Sequence, residues 1–110
     1  MKRDYKIIAV DFDGTLCTNK WPGIGEANES LIAYLKSMQA AGDKIILWTC
    51  RNGRSLVEAV EWCAVHDIIF DEVNGNLREI IDMMGGDTRK VFADIYIDDK
   101  CIDVNQFCKP

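Results

Sequence analysis

Short, uninterrupted apolar runs alternate with helical stripes along this chain. Ile7-Ile8-Ala9-Val10 has no polar position and is rich in β-branched residues, the composition of a strand buried on both faces of a parallel sheet. Ile45-Ile46-Leu47-Trp48 and Ile95-Tyr96-Ile97 repeat the pattern, and Ile68-Ile69-Phe70 and Val91-Phe92-Ala93 are weaker strand candidates. Between the runs the period changes. Leu31, Leu35 and Met38, with Ile32 beside them, form a helical stripe that Gly42 stops. Leu56, Val60 and Cys63 form a second, and Ser55-Leu-Val-Glu58 has the form of a capping box at its start. Leu77, Ile80, Ile81 and Met84 form a third, with Asn76 as its expected N-cap and Gly85-Gly86 as its end. Ile102 to Phe107 reads as a short closing helix. Strands alternating with helices predict an α/β fold around a parallel, right-handed sheet.

Composition narrows the class. The 110 residues read as a single domain, 1–110, with 48% apolar and 28% charged residues, an ordinary globular balance. No internal repeat, low-complexity segment or linker is visible. No apolar run approaches the roughly 20 residues that span a bilayer, and the N-terminal Met-Lys-Arg-Asp-Tyr-Lys leads into no secretory leader. The expected setting is the cytoplasm, with no membrane contact. A net charge of −5 argues against a broad nucleic-acid face. The five cysteines are odd in number and match no disulfide framework, so reduced, core-filling thiols are expected. Cys63-Ala-Val-His66 has no second pair to complete a zinc site.

The acids are unevenly placed. Asp11 follows the first strand and Asp13-Gly14-Thr15 leads away from it; Thr49 closes the second main strand; Asp98 and Asp99 close the last. In open parallel sheets ligands bind outside the carboxyl ends of the strands, so three strands deliver these residues to one edge. Single aspartates there are often turn formers or helix caps. Several converging carboxylates repel one another unless a cation sits among them, and oxygen-only ligands favour Mg²⁺, which in turn normally meets a phosphate.

These residues resemble the motifs of the haloacid dehalogenase (HAD) superfamily of phosphohydrolases, in order and over nearly the whole chain. Val10-Asp11-Phe12-Asp13-Gly14-Thr15-Leu16 matches the first motif, Leu47-Trp48-Thr49 the second, Lys90 the lysine of the third, and Ile97-Asp98-Asp99 the acidic fourth. Trp48-Thr-Cys-Arg51 with Phe70-Asp-Glu-Val-Asn74 is similar to the small capless hydrolases of bacteria and phages. The resemblance implies a three-layer Rossmann-like (HAD-like) parallel sheet with helices on both faces and no cap domain. It implies a Mg²⁺-dependent phosphatase that hydrolyses a phosphomonoester through an aspartyl-phosphate on Asp11. Asp13 would protonate the leaving group and then activate water, Thr49 would bind a phosphoryl oxygen, and Lys90 would neutralise charge, with Arg89 or Lys100 as substitutes. Gly14 permits the sharp turn at the phosphate. Mg²⁺ would be held by Asp11, the Asp13 backbone carbonyl and the fourth motif, with Asp99 favoured over Asp98 as direct ligand. Asp103 is either an outer-shell acid or a helix-start acid.

Several neighbours stay open on sequence. Arg51 either binds substrate phosphate in bidentate fashion or pairs with Glu58 or another acid. Trp21, in the flap expected after the first motif with Cys17 and Pro22, either stacks on a substrate ring or packs over a loop. His66 is expected at a helix C-terminus, and Cys50 as packing. The 33 residues from Leu16 to Trp48 and the 40 from Cys50 to Arg89 leave no room for a cap. An open site suits an exposed phosphoester on a larger molecule, a small phosphorylated compound with a nucleotide type included, or cover from another copy in a homo-oligomer. The alternative is a non-catalytic or receiver-like signalling or binding module, although a receiver carries its phosphoacceptor on the middle strand, which here ends in Thr49.

Overall fold

A computed structural model describes residues 3–107. In chain order its elements are β1 (Ile7–Val10), α1 (Glu29–Ala40), β2 (Lys44–Leu47), α2 (Gly53–Val65), β3 (Glu72–Val73), α3 (Arg78–Met84), β4 (Ile95–Ile97) and a 3₁₀ turn at Val104–Phe107. The strands form one parallel sheet in the order β3-β2-β1-β4. Side chains alternate across it. Ile8, Val10, Ile45 and Leu47 meet Ile32 and Leu35 of α1 and Ala59 and Cys63 of α2 on one face. Ile7, Ala9 and Ile46 meet Ile80 of α3 and Leu77 just before that helix on the other. Helices therefore cover both faces, which is why β1 and β2 carry no polar residue in their central positions. The fold is a small Rossmann-like α/β domain.

Registers align the strand ends. Val10 pairs with Leu47 and with Ile97, and Leu47 with Val73. The ladder runs one residue further: the Asp11 amide donates to the Ile97 carbonyl at 3.0 Å, Trp48 to Val10 at 2.9 Å, and Asn74 to Leu47 at 2.7 Å. Successive strands step from β1 to β3 in one direction, then cross back to β4 on the far side of β1. The crevice between β1 and β4 is the topological switch point.

Local chemistry explains most boundaries and corrects some expectations. Asn28 caps α1, its side-chain oxygen accepting from the Leu31 amide at 3.2 Å, and Gly42 follows the helix at φ +100°. The second helix starts at Gly53, so Ser55 lies inside the first turn and is not the cap; its hydroxyl donates to the Asn52 carbonyl at 2.9 Å. Asn76 is no helix cap either. It is buried, accepts from the Phe92 amide at 2.7 Å and donates to Asp87 at 2.8 Å, so it clamps the 87–92 segment instead. Ile68-Ile69-Phe70 precedes the short strand at 72–73; Ile68 is buried as an anchor while Ile69 faces out. Val91 and Ala93 pack beneath the sheet without joining it, held by Tyr96, whose hydroxyl donates to the Val91 carbonyl at 2.7 Å and accepts from the Ala93 amide at 3.2 Å. The closing helix is reduced to the 3₁₀ turn. Cys17 and Cys63 are buried free thiols, Cys50 and Cys101 exposed ones; Cys108 lies outside the described residues. No helix among the described residues is long and apolar enough to cross a membrane.

One polar node ties the edges of the fold. Glu79 of α3 accepts from the Tyr5 hydroxyl and from Lys44 Nζ, the latter at 3.1 Å. The Tyr5 hydrogen bond, then backbone N–H and the Lys44 charge, hold the Glu79 carboxyl down at about 2, against an ordinary 4.5. A depressed carboxylate contributes stability that is present above pH 4.5 and lost as pH falls from there toward 2. Urea midpoints between pH 5 and 2 should fall less steeply for Glu79→Gln than for wild type; parallel slopes would remove Glu79 as a source of acid sensitivity.

Candidate active site at the switch between β1 and β4

Asp11 stands at the end of β1, and Asp98 and Asp99 follow β4 directly. One carboxylate oxygen from each lies within 4.8 Å of the other two. Burial pushes the Asp11 carboxyl up to about 6, against the opposing Phe12 amide, and the charges of Asp98 and Asp99 add to the rise. The only ion pair to any of the three acids among the described residues is the long contact of Lys100 Nζ with Asp99 Oδ2, at 3.8 Å. An all-oxygen group of this kind, short of positive charge, fits a hard divalent cation.

Gly14 and Thr15 bring Asp99 into the group. The Thr15 hydroxyl accepts from the Asp99 amide at 3.1 Å, joining the first motif to the last strand across 84 residues. Gly14 has φ +81°, and a Cβ there would lie 2.4 Å from Asp99 Oδ2. The glycine is required twice, for its backbone conformation and for the approach of a carboxylate. Thr49 is set by Asn74, whose side chain accepts from the Thr49 amide at 2.7 Å from a left-handed conformation (φ 53°). Sequence reasoning gave Asn74 no role; its tolerance of positive φ just past a strand end was the available signal.

Asp11, Trp48, Thr49, Cys50, Asp98 and Lys100 line a cleft of about 360 Å³. A second cavity of about 320 Å³ shares Asp11, Trp48 and Asp98 and adds Lys90 and Tyr96. Lys90 thus reaches the Asp11 cavity, but its ammonium sits 5.3 Å from the centre of the Tyr96 ring and makes no ion pair within 4.0 Å among the described residues. Arg89 is exposed and likewise makes none. Of Lys90, Arg89 and Lys100, it is Lys100, placed in the first cleft, that lies beside an acid of the site, Asp99.

Arg51 departs from a substrate-binding role. Its side chain is fully buried. Nε donates to Asp13 Oδ2 at 2.8 Å and Nη2 to Asp13 Oδ1 at 2.7 Å. Nη2 also donates to the Gly23 carbonyl at 2.6 Å, and Nη1 to those of Pro22 and Ser55, each at 3.3 Å. All five N–H groups are engaged, so none is left for a phosphate. The Asp13 carboxylate raises the guanidinium above its usual pKa. Arg51 Cζ lies over the Phe12 and Trp21 rings, 4.9 Å from each centroid. Trp21 therefore packs on Arg51 within the flap, whose base is closed by the antiparallel pairing of Cys17 with Ala27. His66 ends α2, with Nδ1 2.8 Å from the Trp62 carbonyl. Asp103 accepts from the Asn105 amide at 3.0 Å, as a helix-start acid, and does not join the three-acid group.

Fold and site together define an α/β parallel-sheet protein with an acidic site at its topological switch. A solved structure of a conserved protein from Bacteroides thetaiotaomicron is similar to it, with 37% identity over 90% of this chain and 79% of that one, and a TM-score of 0.79. The chain belongs to the same family as that protein. No family model matches the chain, and no curated protein matches it.

Proposed function

We propose that the protein is a Mg²⁺-dependent phosphohydrolase of the HAD type, working in the cytoplasm on a phosphomonoester. The carrying observation is the group of Asp11, Asp98 and Asp99 oxygens at the switch point, with Thr49 on the same cleft and Asp13 two residues away. Asp11 and an acid of the Asp98/Asp99 pair, with the Asp13 carbonyl, would hold the cation, which would supply charge neutralisation at the phosphoryl group. An Asp11 oxygen attacks phosphorus and the ester P–O bond breaks, giving an aspartyl-phosphate and an alkoxide that takes a proton from Asp13. Water, giving a proton to Asp13, then attacks phosphorus and releases Asp11 and inorganic phosphate. Thr49 donates to a phosphoryl oxygen, and Lys100 and Lys90, at the rims of the two cavities, add positive charge.

Hydrolysis of an aryl phosphate that appears with Mg²⁺ and vanishes with chelator supports this reading. No Mg²⁺-dependent turnover on a broad phosphoester panel would overturn it. Gly14→Ala, which drives a methyl into the Asp99 carboxylate, is expected to weaken Mg²⁺ binding by roughly 10–100-fold, the usual range for disturbing the support of a metal ligand. Calorimetric titration with Mg²⁺ checks this, and an unchanged affinity would exclude Asp99 as a ligand.

A further inference from the structure

We propose that Arg51 is a positioning residue that couples the flap to the acid–base carboxylate, so that the placement of residues 21–23 sets the placement of Asp13. The inference rests on the phosphohydrolase reading above. One buried guanidinium holds both oxygens of Asp13 with two of its N–H groups and the Pro22 and Gly23 carbonyls with two more. The fifth N–H goes to the Ser55 carbonyl in the first turn of α2, which fixes the whole assembly to a rigid element. A planar fork with five fixed donors cannot turn to follow one partner without releasing another. Asp13 cannot therefore swing toward or away from the crevice independently of the flap.

A second feature makes the coupling sensitive from outside. Trp21 is 58% exposed yet covers one face of the guanidinium. Whatever engages the Trp21 ring bears directly on the group that orients Asp13. The flap of this open site is thus connected to the step that protonates the leaving group.

That step matters unequally among substrates. An alkyl phosphate needs a proton on its leaving oxygen, whereas nitrophenolate leaves a nitrophenyl phosphate as the anion, without one. Because Asp13 also serves the later attack of water, which both substrates share, kcat/KM, which ends at loss of the leaving group, is the readout. Arg51→Lys should lower kcat/KM on the alkyl substrate at least about tenfold more than on the nitrophenyl substrate, a fraction of the usual worth of general acid catalysis. Trp21→Ala, at an exposed side chain, should bias kcat/KM in the same direction. In an Asp13→Asn background Arg51→Lys should have no further effect on kcat/KM, since the route through Asp13 is already gone. Equal losses on both substrates, or undiminished loss in the Asp13→Asn background, would make Arg51 merely structural and overturn the inference while leaving the phosphohydrolase reading intact. If Arg51→Lys does not fold, the Trp21→Ala ratio decides alone. Absence of turnover in wild type overturns both.

Discussion

Asp11→Asn is expected to remove phosphoester hydrolysis by at least roughly three orders of magnitude while leaving the metal-free protein as stable as wild type or more so. The two halves have one origin. The carboxylate at the end of β1 is partly buried beside two further acids, and its pKa stands at about 6 against an ordinary 3.8. A raised carboxyl costs the folded state nothing below pH 3.8. The cost grows through the interval and is complete above about 6, on the order of 2–3 kcal/mol for a rise of this size. Asparagine carries no such cost. Urea unfolding at pH 7 without Mg²⁺ should therefore place the variant at or above wild type, with the two curves converging near pH 4. Mg²⁺ should stabilise wild type more than the variant. Turnover surviving in Asp11→Asn would exclude it as the nucleophile, and a large destabilisation would mean that lost activity reports unfolding and not chemistry.

Arg51→Ala is expected to cost about 3 kcal/mol, the lower end of what breaking a buried ion pair costs, because Asp13 keeps 20% of its side chain exposed. The substitution strands Asp13 and removes the donors to Pro22, Gly23 and Ser55 together, and it takes away the group that Phe12 and Trp21 pack on. Arg51→Lys should recover part of the loss, since an ammonium restores the charge but has three donors for five acceptor contacts. Urea denaturation measures both. A loss under 1 kcal/mol for Arg51→Ala would mean that water replaces these contacts and that the flap is held elsewhere.

Much of the architecture was legible in short stretches of the chain. The apolar runs at Ile7–Val10 and Ile45–Leu47 mark strands covered on both faces, and the alternation with helical stripes leaves few topologies for a parallel sheet. Asp11, Thr49, Asp98 and Asp99 could be assigned to one edge because each lies within two residues of a strand's carboxyl end. Local signals were less dependable at helix starts. Ser55 and Asn76 both had cap-like contexts, and both were drawn to other partners: Ser55 to a carbonyl one turn back, Asn76 to a loop that needed a buried clamp.

What the sequence by itself determined is therefore the α/β class, the identity of the carboxylates and the edge on which they gather, since these follow from periodicity and from which residue comes after a strand. Only the tertiary structure decided their partners. Arg51 lies 38 residues from Asp13, and Thr15 lies 84 from Asp99. No local pattern selects such pairs: a buried guanidinium takes the carboxylate and carbonyls that packing brings to it, and the missing Cβ of Gly14 matters because Asp99 arrives against it. Chain order supplied the acids, and the crossing of β4 to the far side of β1 put them around one point.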